Sequence, residues 1–374
     1  MSHKKGFSRL TEHMQEWIIG LPDDEEMQRL LEARISVEEA DFLADFPFFP
    51  HTVDQLAEKF GTTVDEFCAK CDPLAGKGLI FRHESRNTIR YALNESMFMF
   101  YRSPFWAGKD DAKTKELARL SNRYFNPTYG REFGRIQTTG LRAIPVHRTI
   151  EDPRQIQPYE DVIQVVEKED YICVAHCPCR QRMNLDPDSS SCEHETLNCL
   201  HFGRLARYMV KQEMGQKISP EETKEILDAA AEAGLVHGIT GHKAAPDSIC
   251  NCCSCCCLYL QSVHVLGLHG HQRSNYVASV KAKTCKGCGL CEKRCPMDAV
   301  RMEISDEAEN ETGEVAAVDT EKCIGCGVCA HKCPTQSMVL VHREGEEDFP
   351  ETEREMAQRM ARERGRNAFG LAGR

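Results

Sequence analysis

Cys285-Lys-Gly-Cys288-Gly-Leu-Cys291-Glu-Lys-Arg-Cys295-Pro296 and Cys323-Ile-Gly-Cys326-Gly-Val-Cys329-Ala-His-Lys-Cys333-Pro334 are one pattern written twice. Three closely spaced thiols let a tight loop wrap one corner of a metal–sulfur cube. Gly287, Gly289, Gly325 and Gly327 allow the backbone to come close and to take dihedrals closed to other residues. The proline after each fourth cysteine turns the chain away, and Ile324, Val328 and Val300 are apolar enough to shield the site from water. Between the runs, Val300–Ile304 and Val315–Val318 predict a hairpin lengthened by an acidic turn over 306–313.

The pattern resembles the bacterial-type ferredoxins that hold two [4Fe–4S] clusters. In that family the fourth cysteine of each run ligates the other cluster. The resemblance therefore implies that Cys285, Cys288, Cys291 and Cys333 hold one cube, and that Cys323, Cys326, Cys329 and Cys295 hold the second. Two zinc sites are the competing reading. They need only four thiolates each and do not account for the whole pattern appearing twice with proline after it. The implied function is movement of single electrons.

The chain around this module has 374 residues, 21 of them cysteine, a 41% hydrophobic content and a formal net charge of −11. It is long enough for two or three domains with packed cores. Its acidity gives no general attraction to nucleic acid or to an anionic membrane. The polar, basic start over residues 1–10 does not read as a secretory signal, and no run reaches the roughly 18 apolar residues of a membrane helix. Thiols in such number, without export, are expected to be metal ligands in a reducing cytoplasm, as in an anaerobe, rather than disulfides.

The expected fold class is α+β in five parts. Residues 1–100 form a winged-helix-like unit: a helix from Thr52 to Phe60, a second from Thr63, and strands over Leu79–His83 and Ile89–Leu93 around a turn at Ser85-Arg86-Asn87. Residues 101–170 are a helical connector, with helices over Asp111–Phe125 and Tyr159–Lys168. Residues 171–275 are a cysteine-rich metal-binding domain of mixed structure. It opens with a strand, Tyr171–Ala175, and contains a helix capped by Ser219, Pro220 and Glu222. Residues 276–342 are the ferredoxin-like domain, and 343–374 a charged tail ending in one exposed helix.

The middle domain has its own thiols: Cys173, Cys177, Cys179, Cys192 and Cys199, then Cys250, Cys252, Cys253, Cys255, Cys256 and Cys257. Neither group fits the ferredoxin spacing. Cys173-x3-Cys177 fails as a radical-SAM loop because Arg180 stands where its third cysteine belongs. Adjacent cysteines on a strand point to opposite faces, so one run can serve two sites. The metal-ligand candidates are Cys177, Cys179, Cys192, Cys199, Cys250, Cys252, Cys253, Cys255, Cys256 and Cys257, for one or two further iron–sulfur clusters, with zinc as the plainer alternative. Arg180, Arg182, His176, His194 and His201 lie among these thiols. They are expected to be solvated or paired, unless they serve to stabilise a reduced cluster.

The layout resembles multi-cluster 4Fe–4S proteins of anaerobes: a winged-helix-like start, a block like His176-Cys-Pro-Cys-Arg180 followed by Ile249-Cys-Asn-Cys-Cys-Ser-Cys-Cys-Cys257, and a two-cluster ferredoxin end. The resemblance implies a relay of electrons between partner oxidoreductases. A reductase subunit with a catalytic middle cluster is the alternative. A redox-sensing regulator is disfavoured, because the candidate recognition helix from Thr63 to Gly78 carries Asp65, Glu66 and Asp72 against Lys70 and Lys77, with Pro73 inside it. Cys68 and Cys71 lie on its apolar face as core thiols. No nucleotide-binding glycine motif is present, and no catalytic residue stands out. Lys283, Lys286, Glu292, Lys293, Arg294 and Lys332 surround the ligand loops as a docking face for redox partner proteins.

Overall fold

A computed structural model of the chain describes residues 2–85, 87–152, 156–157 and 159–366. It mixes helices with four antiparallel sheets, as the α+β reading requires.

The first helix, Ser2–Gln15, lies in a stretch for which the sequence reading predicted no element. Phe7, Leu10 and Met14 recur at helical spacing and are buried. The helix packs on helix Val37–Leu43, which starts at a Ser36–Glu39 capping box. Next come strand β1 (His51–Thr52) and helices Val53–Lys59 and Val64–Gly76, both opened by threonine capping boxes. Strands β2 (Ile80–Ser85) and β3 (Thr88–Leu93) follow, and the sheet order is β1-β3-β2. Arg86, in the expected turn, lies outside the described residues. Phe67, Cys71 and Leu74 face the core, and burial pushes the Cys71 thiol up to about 12, so it stays protonated.

The connector is less separate than its sequence implies. It carries helix Ala112–Tyr124, capped by Asp111, and two π-helical segments, Phe98–Arg102 and Phe125–Tyr129. It also supplies β4 (Leu141–Ala143), the edge strand of the central sheet. The other strands of that sheet are β5 (Ile172–His176), β6 (Leu197–Phe202), β7 (Gln216–Ile218), β8 (Val236–Thr240) and β9 (Ser248–Cys252), in the order β4-β8-β9-β6-β5-β7. All pairings are antiparallel.

Strand alternation gives this sheet two unlike faces. Ile172, Val174, Leu200, Phe202, Ile239 and Ile249 bury one face against helices Val162–Glu167 and Pro220–Glu232. Each such side chain contributes on the order of 1.5–3 kcal/mol. The opposite face takes the intervening residues, among them Cys173, Cys199, His201, Cys250 and Cys252. Register carries them together: Cys173 pairs with His201 and Ala175 with Cys199, while Leu200 pairs with Ile249.

The C-terminal module pairs β10 (Tyr276–Val280) with β13 (Met338–His342), and β11 (Val300–Ile304) with β12 (Glu314–Val318). The tail helix is Glu353–Glu363. It differs from the exposed helix expected, because Met360 and Ala361 are buried. Glu363 accepts from the amide and hydroxyl of Thr138, at 2.9 and 2.6 Å, and Arg364 donates to the Glu132 carbonyl at 2.9 Å. Met360 and Ala361 of this helix are thus covered by the rest of the chain, while Met356 is half-buried.

Candidate metal centres

In the C-terminal module the two cysteine loops fold alike. Gly287 and Gly325 sit at φ +66° and +68°, Gly289 and Gly327 at +66° and +79°. The latter two open the short helices Leu290–Arg294 and Val328–His331. A Cβ on Gly325 would strike the Tyr276 carbonyl, and one on Gly287 would strike the Thr312 hydroxyl. Glycine is therefore needed here for space as well as for φ.

Cys285, Cys288, Cys291 and Cys333 line one cavity. Cys295, Cys323, Cys326 and Cys329 line another. Each cavity thus receives three thiols of one run and the last thiol of the other. The donor sets suit iron–sulfur cubes, being all thiol and walled by apolar side chains. Backbone amides point at the sulfurs: Ala299 to Cys295 at 3.2 Å, Met338 to Cys333 at 3.4 Å and Ala278 to Cys323 at 3.5 Å.

The cavities differ in access. Cys288 is exposed, whereas Cys323, Cys326 and Cys329 are buried. Burial pushes the Cys326 thiol up to about 12. The buried cavity faces the rest of the chain, for the Val146 amide donates to the Cys326 carbonyl at 3.1 Å. Of the expected docking cations, Lys283, Lys286 and Lys293 are exposed. Arg294 instead donates to the Ala231 and Glu232 carbonyls, at 2.9 and 3.2 Å, at the end of helix Pro220–Glu232. Lys332 pairs with the Glu232 carboxylate. These two cations fasten the module to the middle domain.

The middle thiols fall into two groups. Cys250 and Cys252 share a face of β9, Cys199 lies beside them on β6, and Cys177, Cys179 and Cys257 stand at the starts of helices Pro178–Leu185 and Leu258–His264. These six lie close enough to shift one another's ionisation. Cys250, bonded by Cys199 and Cys252, and Cys257, bonded by Cys179 and Cys252, are both held well below the usual thiol range. Cys179 and Cys177 are in the same contact. The second group is Cys192 with Cys253, Cys255 and Cys256, at sulfur separations of 3.8 Å (Cys192–Cys253), 3.7 Å (Cys192–Cys255) and 3.6 Å (Cys255–Cys256). Cys173 joins neither, and burial pushes its thiol up to about 12.

Arg180 and Arg182, expected to be solvated or paired, are fully buried. Arg180 donates to Asn198 Oδ1 at 2.5 Å and to the Asn251 carbonyl at 2.8 Å. Burial opposes its charge, but the thiols of Cys177, Cys253, Cys252 and Cys192 outweigh that and raise its pKa. It therefore lies between the two groups. Nε and Nη1 of both arginines are buried without a partner, as suits donors awaiting an anionic centre. His201 Nε2 lies 3.2 Å from Cys199 Sγ, and burial pushes this imidazole down to about 4.

Three contributors escaped the sequence reading. Tyr101 donates to Cys179 Sγ at 3.2 Å, with the Arg182 guanidinium 5.0 Å from its ring centroid. Arg102 donates to the Tyr259 hydroxyl at 3.2 Å, beside Cys250. Trp106 packs edge-on against His201. Tyr101 and Arg102 ride on the π-helical segment, a distortion that recurs at functional sites. Nothing in their local sequence marks them.

Residues 284–337 match the family model described as the 4Fe-4S dicluster domain. No curated protein matches the chain. No solved structure matches it. The matched segment identifies an iron–sulfur protein whose ferredoxin-type domain supports electron transfer in general. Among the described residues no helix is long and apolar enough to cross a membrane.

Proposed function

We propose that this protein relays single electrons between partner oxidoreductases in a reducing cytoplasm, as in anaerobic metabolism. The observation that carries the reading is the crossed lining of the two cavities, three thiols from one run and one from the other. When bound there, [4Fe–4S] clusters supply one-electron chemistry.

The chain's residues set the conditions for that chemistry. Exposed Cys288 and its neighbours Lys286 and Lys293 make the first cavity the port for a partner. Buried Cys323, Cys326 and Cys329 exclude water from the second. Amide donors at Cys295, Cys323 and Cys333 favour negative charge on the sulfurs, which raises a reduction potential. We assign a third iron–sulfur centre to the group of Cys177, Cys179, Cys199, Cys250, Cys252 and Cys257, with Arg102 and Arg180 supplying positive charge. The winged-helix-like unit serves packing. Tyr208 reaches the carbonyls of Ala75 and Ile80 at 2.7 and 3.0 Å, which sets helix Gly203–Lys211 against its hairpin.

A second reading, a reductase with its catalytic centre in the middle domain, is favoured by one observation: the group offers six thiols, where a closed cube engages four. EPR of the anaerobically reduced protein separates the two. A relay shows unchanged spectra with candidate substrates. A reductase shows one signal that shifts on substrate addition while the ferredoxin-type signals stay.

A further inference from the structure

We infer that Cys192, Cys253, Cys255 and Cys256 bind a single zinc ion as a closed tetrahedral tetrathiolate, separate from the iron–sulfur centres. The argument is metric. Four sulfurs at about 2.3 Å from one ion lie about 3.8 Å apart along each tetrahedral edge. Three of the six edges measure 3.8, 3.7 and 3.6 Å, and the remaining three lie within 4.8 Å. Among the described residues no other group of three or more potential ligands brings all its ligand atoms within 4.8 Å of one another.

A cube cannot use this spacing. Its cysteines bind four different irons, held apart by bridging sulfides, so their sulfurs surround a core instead of meeting. The ferredoxin-type thiols behave that way around their two cavities. The tetrathiolate has no room for a core at its centre.

The surrounding residues suit a fixed, closed site. Asn184 accepts from the Cys192 amide at 2.8 Å, and Gln261 donates to the Cys255 carbonyl at 2.7 Å. The Cys257 amide donates to the Cys253 carbonyl at 3.1 Å, which closes the turn that carries three of the ligands. Such partners orient ligands before an ion arrives. Four thiolates and one divalent ion leave a net charge of −2, and two buried guanidiniums, Arg180 and Arg182, lie alongside. Cys192, Cys253 and Cys256 are buried and Cys255 is exposed, so the ion has an entry path.

The site has a structural consequence. Its turn is flanked by Cys252 and Cys257, which belong to the six-thiol group. The ion orders the turn between them, while β9 and helix Leu258–His264 anchor Cys252 and Cys257 independently on either side. The inference does not depend on the proposed electron relay, since a zinc site would stand whether or not the middle domain carries iron.

The test uses the full chain purified anaerobically. Zinc-edge X-ray absorption is expected to show about one zinc per chain with four sulfurs at about 2.3 Å and no iron neighbour. Cys255→Ser is expected to lower zinc affinity at least about tenfold with iron and acid-labile sulfide unchanged. Absence of zinc from the wild-type protein, a mononuclear iron in its place, or loss of iron together with sulfide from Cys255→Ser would each overturn the assignment. If that variant does not fold, the wild-type absorption spectrum alone decides.

Discussion

Cys252 and Cys253 are consecutive in the chain and stand in different thiol groups. Cys252 is the last residue of β9 and faces Cys250 and Cys257, while Cys253 begins the turn that meets Cys192. The division of the run into two sites therefore follows from where the strand ends.

Crossed ligation makes a paired prediction. Cys288→Ser and Cys333→Ser, though far apart in sequence, line the same cavity. They are expected to remove or alter the same EPR signal, and Cys295→Ser the other one. If Cys288→Ser and Cys295→Ser affected one signal in common, the crossing would be wrong.

Cys71 and Cys173 are the controls. Both are fully buried, and burial holds both protonated. Replacement by alanine is expected to leave iron, zinc and sulfide content unchanged and to cost on the order of 1 kcal/mol in a denaturant melt. A fall in iron content would make either one a ligand.

The cations around the ferredoxin-type loops divide into two kinds. Lys286→Glu with Lys293→Glu is expected to slow electron transfer from an acidic partner several-fold at low ionic strength, with little effect at high salt. Arg294→Ala is expected to leave that salt dependence intact and to destabilise the docked module by about 1–3 kcal/mol, because it removes charge-assisted bonds to two helix-end carbonyls. Stopped-flow rates and chemical denaturation check the two arms.

The tail is expected to act on its own chain. Met360→Ala empties a fully packed position and should cost roughly 2–5 kcal/mol. Deletion of residues 346–374 should lower the melting temperature before it affects any partner. Unchanged stability with a slower partner reaction would instead give the tail a docking role.

What the sequence made legible was local. The ferredoxin-type loops are continuous motifs, so Cys285 to Cys333 could be read with their glycines and prolines. The helices opened by Thr52, Thr63, Asp111 and Ser219 carry their caps beside them. The middle sites depend on distance in sequence. Cys192 meets Cys253 across 61 positions through a loop, and Cys199 reaches Cys250 only through the β6–β9 register. Tyr101 and Arg102 arrive from the connector, where no neighbouring cysteine hints at them. The first helix is hard to read from sequence because Phe7, Leu10 and Met14 lie among polar and basic residues, and only their spacing betrays a buried face.

The central claim is that this chain carries a ferredoxin pair and a further iron–sulfur centre in the middle domain. Iron and acid-labile sulfide per chain, measured on anaerobically purified full-length protein, test it most directly. Three cubes predict about twelve irons with about as many sulfides. About eight irons, with the middle thiols holding only zinc, would contradict it.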